Sequence, residues 1–168
     1  MAETLNAIQL LTKDHREVEA LFAKYESASG DGKKEKIAKA ICTELKIHTM
    51  IEEEIFYPAL RGKISDDDLD EAMVEHDGAK VLINDIEAGE PSDQFYDAKV
   101  KVLQEDIEHH VKEEEKESGN LFSQARKADV DLDALGERMA ARKAELQQLA
   151  ESEGLPAAQP GTLTEVEG

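Results

Sequence analysis

His48-Thr49-Met50-Ile51-Glu52-Glu53-Glu54-Ile55-Phe56-Tyr57-Pro58 is the stretch from which the rest of the chain can be read. His48 and Glu52, four residues apart, lie on one face of a helix about one turn from each other. They interrupt an apolar stripe of Ile41, Leu45, Ile55 and Phe56. An imidazole or a carboxylate turned toward a core costs roughly 2–7 kcal/mol if it is left unpaired. A shared metal ion is one arrangement that removes that cost.

Outward from this stretch, apolar residues recur at helical spacing, and no segment sustains strand-like alternation. Thr4 is expected to cap a first helix running to about Ser27, with Ile8, Leu11, His15, Val18 and Phe22 inward. Ser29-Gly30-Asp31-Gly32 ends it, and a second helix runs from about Lys33 to Leu60, bent or terminated by Pro58. Ser65 with Asp68 reads as a capping box for a third helix carrying Leu69, Met73, His76, Ile83 and Ile86, stopped by Gly89 and Pro91. A fourth starts near Ser92 and carries Val100, Leu103, Ile107, His110 and Glu114, with Gly119 weakening its last turns before Leu121 and Phe122.

Four long helices with short connections predict an all-α, up-down-up-down four-helix bundle over residues 1–126. A shorter helix within 127–153, with Leu135, Met139, Leu146 and Leu149, is expected to dock outside the bundle or to serve a homo-oligomer or partner contact. Residues 154–168, rich in Pro, Gly and polar side chains, are expected to form a disordered tail.

At 168 residues the chain suits one domain with a proper core. Its 39 acidic and 20 basic residues give a net charge of −19, which repels phosphate backbones and anionic lipid and argues against nucleic-acid or membrane-surface partners. No apolar run approaches the roughly 18 residues of a membrane span, and no basic-then-apolar signal pattern opens the sequence. A lone cysteine, Cys42, forms no intrachain disulfide and fits a reducing, cytoplasmic setting.

Each inward stripe holds one histidine, and the spacing repeats. His15 to His48 is 33 residues and His76 to His110 is 34. An offset of 61 or 62 maps Asp14-His15 onto Glu75-His76, and His48…Glu52 onto His110…Glu114. A single histidine on an apolar face is more often a satisfied core residue. Four of them, one per helix, with a carboxylate partner recurring at the half-length, point to a metal site. Of the runs Glu52-Glu53-Glu54 and Glu113-Glu114-Glu115, helix periodicity selects Glu52 and Glu114 and leaves the others as solvated charges. His110 is preferred to His109 because Leu103, Ile107, His110 and Glu114 form a continuous stripe, whereas His109 and Glu113 would share theirs with Val102 and Asp106. Glu19 follows His15 by four residues but has no counterpart after His76, where Lys80 stands. The predicted metal set is therefore His15, His48, Glu52, His76, His110 and Glu114, which suits a pair of iron or manganese ions.

These residues resemble the hemerythrin-like, or HHE cation-binding, family over about residues 5–125. The resemblance rests on Asp14-His15 followed by Val18 and Leu21-Phe22, on the His48–Glu53 block ending in Phe56-Tyr57-Pro58, on Glu75-His76, and on His109-His110-Val111-Lys112-Glu113-Glu114-Glu115. It implies a four-helix bundle around a non-haem di-iron centre, bridged by two carboxylates and an oxo or hydroxo group, with the same six residues as matching ligands. Two departures stand out. Lys80 occupies the position of a further histidine in oxygen-carrying members, and Lys116-Glu117-Ser118-Gly119-Asn120 intervenes before Phe122, with Ser123 where a proline is usual.

Two irons of roughly six positions each offer about twelve. Four imidazoles, two bridging glutamates and a bridging oxygen leave about two open. The sequence thus predicts a protein that binds or turns over O2, NO or H2O2, in oxygen, redox or nitrosative-stress sensing or protection. The absent histidine favours this over reversible O2 carriage. Catalase-like peroxide disproportionation, iron storage and O2 carriage are the alternatives. A ferritin-like oxidase would use Glu-x-x-His pairs, and a structural zinc site needs four ligands rather than six; manganese and zinc are the less favoured cofactors. Lys80 is expected to be solvated, Cys42 to be a small boundary residue, and Tyr25, Tyr57 and Tyr96 to pack at the bundle edge.

Overall fold

The structure, a computed structural model, describes residues 4–163. Asn6, rather than Thr4, caps the first helix. Its side chain accepts the Gln9 N–H at 2.9 Å, and the Gln9 side chain accepts the Asn6 N–H at 3.0 Å, a reciprocal box that satisfies two donors at the start of α1 (Ala7–Ser27). Gly30, at φ 92°, makes the turn into α2 (Asp31–Ile51) in a backbone region that other residues rarely adopt.

Helical winding continues past Ile51 but widens. Glu52–Phe56 is π-helical, the Tyr57 N–H reaching the Glu52 carbonyl, and α3 (Tyr57–Leu60) follows directly. Pro58 gives a physical reason: in an unbroken α-helix its ring would press on the Glu54 carbonyl. The expected second helix is therefore two α segments joined by a π turn, a device often found at functional sites.

Ser65 caps α4 (Asp66–Ala88) by accepting the Asp68 N–H at 3.2 Å, while its own N–H goes to the Gln124 side chain instead of completing the box. The fourth helix begins later than expected and breaks outright: α5 (Tyr96–Glu115) ends before Gly119, which sits at φ 69°, and Asn120 caps a separate α6 (Leu121–Lys127). Asp131 caps α7 (Leu132–Ser152). Among the described residues all regular structure is helical.

α1 packs on α2, α4 packs on α5 and α2, and α7 lies against α1, α2 and the π turn. The apolar residues form two clusters. One is built on Leu11, Ile51, Phe56, Leu60, Leu69, Phe122 and Met139, the other on Phe22, Ile41, Leu45, Ile83 and Leu103. Fully burying each such side chain contributes about 1.5–3 kcal/mol, which offsets the cost of a polar layer held between the clusters. His15 falls between Leu11 and Val18, and His48 between Leu45 and Ile51.

The tail departs from expectation. From Leu155 to Thr162 it lies as a strap across α2 and α4. Lys46 donates to the Leu155 carbonyl at 3.4 Å, and Asn84 clasps both the N–H and the carbonyl of Ala158 at 2.9 and 2.8 Å. Lys80 donates to the Gln159 carbonyl at 3.1 Å, and Asp77 accepts the Thr162 N–H at 2.7 Å. Composition signalled disorder because the strap is anchored through its main chain, which leaves no apolar pattern. The expected tail's last residues, 164–168, lie outside the described residues.

Candidate metal centre

The polar layer holds all six predicted donors, every one buried. His15, His48 and Glu114 present ligand atoms within 4.8 Å of one another, and so do Glu52, His76 and His110. The two triads interlock through their carboxylates. Glu52 Oε1 lies 2.7 Å from His48 Nε2 and 3.4 Å from His76 Nε2, while Glu114 Oε1 lies 2.9 Å from His110 Nε2 and 3.5 Å from His15 Nε2. His76 Nε2 and His110 Nε2 stand 3.1 Å apart.

Six buried atoms have no aligned hydrogen-bond partner among the described residues: both ring nitrogens of His15, His48 Nε2, both Glu52 oxygens and Glu114 Oε1. All belong to the predicted set. The 2.7 Å approach of His48 to Glu52 is a charge contact without hydrogen-bond alignment. Each unsatisfied buried polar atom costs about 1–3 kcal/mol, and a convergent group of them suits cations. Burial alone would raise the Glu52 carboxyl, but His48 and His76 hold it well below the usual carboxylate range. Burial likewise opposes charge on His48, and Glu52 with Asp14 reverses this, raising the imidazole to about 10.

Behind the layer stands a second tier that periodicity missed. Every imidazole of the layer turns Nδ1 toward a carboxylate: His48 to Asp14 at 3.0 Å, His76 to Glu53 at 2.9 Å and His110 to Glu75 at 2.9 Å, with His15 facing Glu115 at 3.5 Å as a charge contact without hydrogen-bond alignment. Such partners fix the tautomer and ring orientation and aim Nε2 at the interior. The pattern follows the internal repeat. The acid before each lone histidine (Asp14, Glu75) braces the next helix's histidine, and the acid after each inward glutamate (Glu53, Glu115) braces a lone one. Glu53 and Glu115 are thus not the solvated charges expected of them. Glu54 is: it pairs at the surface with Arg142, at 2.8 Å.

Lys80 is also buried rather than solvated. Its ammonium meets Glu53 at 2.7 Å and Asp77 at 2.9 Å rather than any of the six predicted donors. Tyr57 is no edge residue. Its hydroxyl lies 3.3 Å from His76 Nε2, 3.4 Å from His110 Nε2 and 3.5 Å from Glu114 Oε2, so the layer has a seventh polar member. The π turn explains the miss, since it brings a residue five positions after Glu52 onto the inner side. Tyr25 instead hydrogen-bonds Asp97 at 2.6 Å, and Cys42 sits wholly within the second apolar cluster. His109, on the outer side of α5, contacts Glu75 and Glu113. Phe122 stacks on His15, with ring centroids 5.9 Å apart, and shields it.

The sequence profile of the Hemerythrin HHE cation binding domain matches residues 6–122. A DNA nickase of Nostoc sp. (strain PCC 7120 / SAG 25.82 / UTEX 2576) is 27% identical over 113 residues, 67% of this chain and 32% of that protein, so this chain spans about a third of the relative's length. The crystal structure of a Hemerythrin HHE cation binding domain-containing protein, the Rv2633c homolog from Mycobacterium kansasii, superposes with a TM-score of 0.76 at 23% identity. That match covers 91% of this chain and 96% of the other. Residues 1–126 are three quarters of the chain, so the shared fold runs beyond the expected bundle.

Proposed function

This chain belongs to the hemerythrin HHE cation-binding family, and from that premise we propose that it holds a pair of iron ions and binds or turns over a small ligand such as O2, NO or H2O2. The proposed ligands are His15, His48, Glu52, His76, His110 and Glu114. The observation that carries this reading is the pair of interlocked triads, whose buried atoms lack other partners. Each of Glu52 and Glu114 touches imidazoles of both triads, the placement that a carboxylate shared between two cations needs. Bound there, an iron pair supplies redox chemistry toward small oxygen or nitrogen ligands.

The chain's own residues set what reaches the centre. A cavity of about 20 Å³ lies against His15, His48, His76 and His110, with Val18, Leu45 and Ile107 among its apolar walls. It has room for about one water-sized molecule, which favours diatomics and peroxide on that side of the layer. The Tyr57 hydroxyl stands ready to donate a proton or hydrogen bond at the same layer. With Lys80 committed to Glu53 and Asp77, no fifth histidine and no lysine among the described residues closes the interior, which favours sensing or protection in oxygen, redox or nitrosative stress over reversible carriage. Among the described residues no helix is long and apolar enough to cross a membrane. A net charge of −19, which repels DNA, and a match to only 32% of the Nostoc relative weigh against carrying its nicking activity over to this chain.

Metal analysis with an absorption spectrum tests the reading. About two irons per chain with visible charge-transfer absorption support it, and a single colourless zinc overturns it. Oxygen evolution on adding peroxide then separates turnover from binding.

A further inference from the structure

We propose that Glu75, His109 and Glu113 form a third cation-holding position, outside the buried layer, through which metal passes on its way to His110 and Glu114. The inference rests on the di-metal reading above and concerns how that centre is filled.

The bracing tier supplies the first argument. Three of the four carboxylates behind the imidazoles are closed by a permanent cation: Asp14 by Lys143, Glu53 by Lys80 and Glu115 by Arg16. Glu75 meets no lysine or arginine among the described residues. Its Oε2 lies 3.3 Å from His109 Nε2, and Glu113 Oε1 lies 3.0 Å from the same nitrogen. Where the other imidazoles have a fixed positive charge, His110 has two carboxylates and an imidazole, with ligand atoms all within 4.8 Å. Donor separations near 3.0–3.3 Å are those subtended about one ion by bonds of roughly 2.0–2.1 Å.

The surroundings supply the second. Glu75 and Glu113 line a cavity of about 170 Å³ together with Glu71 and Glu117, with no lysine or arginine among its lining residues and with exposed His109 outside the lining, on the solvent side of the two carboxylates. Its inner wall is His110 and Glu114, both more than nine-tenths buried, and Glu114 Oε1 has no hydrogen-bond partner. A cleft walled by carboxylates focuses negative potential and concentrates cations. Glu75 joins the two levels, since its other oxygen accepts from His110 Nδ1 at 2.9 Å. Glu113 immediately precedes Glu114 on α5. A cation at the trio is therefore one carboxylate away from the buried donors.

Anaerobic stopped-flow loading of the metal-free full chain with Fe²⁺ tests the route. The doubly substituted His109→Ala/Glu113→Gln protein is expected to reach the same final iron content and spectrum as the wild type, but about tenfold more slowly or worse. Glu105→Gln/Glu108→Gln, on the exposed outer side of α5, removes two charges away from the cleft and is expected to load at the wild-type rate. In a Co²⁺ titration, the wild type is expected to show a weak extra equivalent that the His109→Ala/Glu113→Gln protein lacks. An unchanged loading rate in that variant overturns the route while leaving the centre standing. A reduced final iron content also overturns it, because the trio would then be part of the centre. Failure of the wild type to take up metal at all overturns the centre itself.

Discussion

Lys143 reaches Asp14 with 2.5 Å between Nζ and Oδ1, joining the helix expected to dock outside the bundle to the buried polar layer. The other Asp14 oxygen holds His48 Nδ1 at 3.0 Å. Burial alone would raise the Asp14 carboxyl, but His48 and Lys143 together bring it below its ordinary value.

Lys143→Met is expected to lower stability by about 2–3 kcal/mol, because the Asp14 charge, nearly buried, loses its partner. Urea denaturation measures it. In an Asp14→Asn background the same substitution is expected to cost less than about 1 kcal/mol; equal costs in both backgrounds would show that the pair is not coupled.

Gly136 is where α7 comes closest to the start of α1. A methyl group there would stand 2.7 Å from the Asn6 carbonyl carbon and 2.8 Å from the Ala7 nitrogen, and it would also collide with the Leu5 carbonyl oxygen. Alanine gains about 1 kcal/mol over glycine in helix propensity, yet the obstruction is backbone and cannot rotate away. Gly136→Ala is expected to be net destabilising by about 1–3 kcal/mol, read from the denaturation midpoint. A stabilised variant would show that α7 is not seated as described.

Tyr57→Phe removes only a hydroxyl whose contacts are all 3.3 Å or longer. The loss in stability is expected to stay within about 1 kcal/mol. Iron content is expected to be unchanged while the visible spectrum of the iron-loaded protein shifts, since the hydroxyl lies in the ligand layer. A superimposable spectrum would remove Tyr57 from that layer.

Lys80→Met leaves Glu53 and Asp77 without their shared cation and frees the Gln159 carbonyl. Glu53 is partly screened by solvent and buried Asp77 keeps its bond from Thr162, so a loss of about 2 kcal/mol is expected. Hydrogen exchange supplies the specific readout: the Ala158 and Thr162 amides, bonded to Asn84 and Asp77, are expected to exchange faster, while α1 amides do not change.

The four main helices and the inward level of the six donors were legible because both follow from the 3.6-residue period and the half-length repeat. The bracing carboxylates were not. Periodicity assigns one member of a glutamate run to the inner face, but Glu53 and Glu115, one residue on, reach sideways to a histidine of another helix. Their signal was present in the recurrence of an acid before each lone histidine and after each inward glutamate. Tyr57 was hidden by a π turn that shifts the register locally. Lys80 was hidden because Glu53, which draws it in, lies 27 residues away on another segment, and the strap because the side chains that hold its main chain lie 74 residues away or more.

Cys42 gives a pH test remote from the metal layer. Burial raises its thiol from 9.0 to about 12, with Glu87 adding to the effect and Lys46 opposing it. Below pH 9 the folded and unfolded chains both keep the proton, and the thiol adds no pH dependence. Between about 9 and 12 the unfolded chain releases it first, so this residue's contribution to stability falls as pH rises, by at most about 1.4 kcal/mol per unit. The stability difference between wild type and Cys42→Ala is expected to shrink over that window, and native Cys42 to resist thiol reagents at pH 8. Rapid labelling of the folded protein would contradict this.

The strap is gripped by its peptide groups, at Leu155, Ala158, Gln159 and Thr162, by side chains that belong to α2 and α4. Its lettering is therefore loosely constrained, and the constraint falls on the clasp. Exchanging Pro156, Ala157 or Ala158 for another small residue leaves the hold in place, whereas replacing Asn84, Lys80 or Asp77 removes one of its grips.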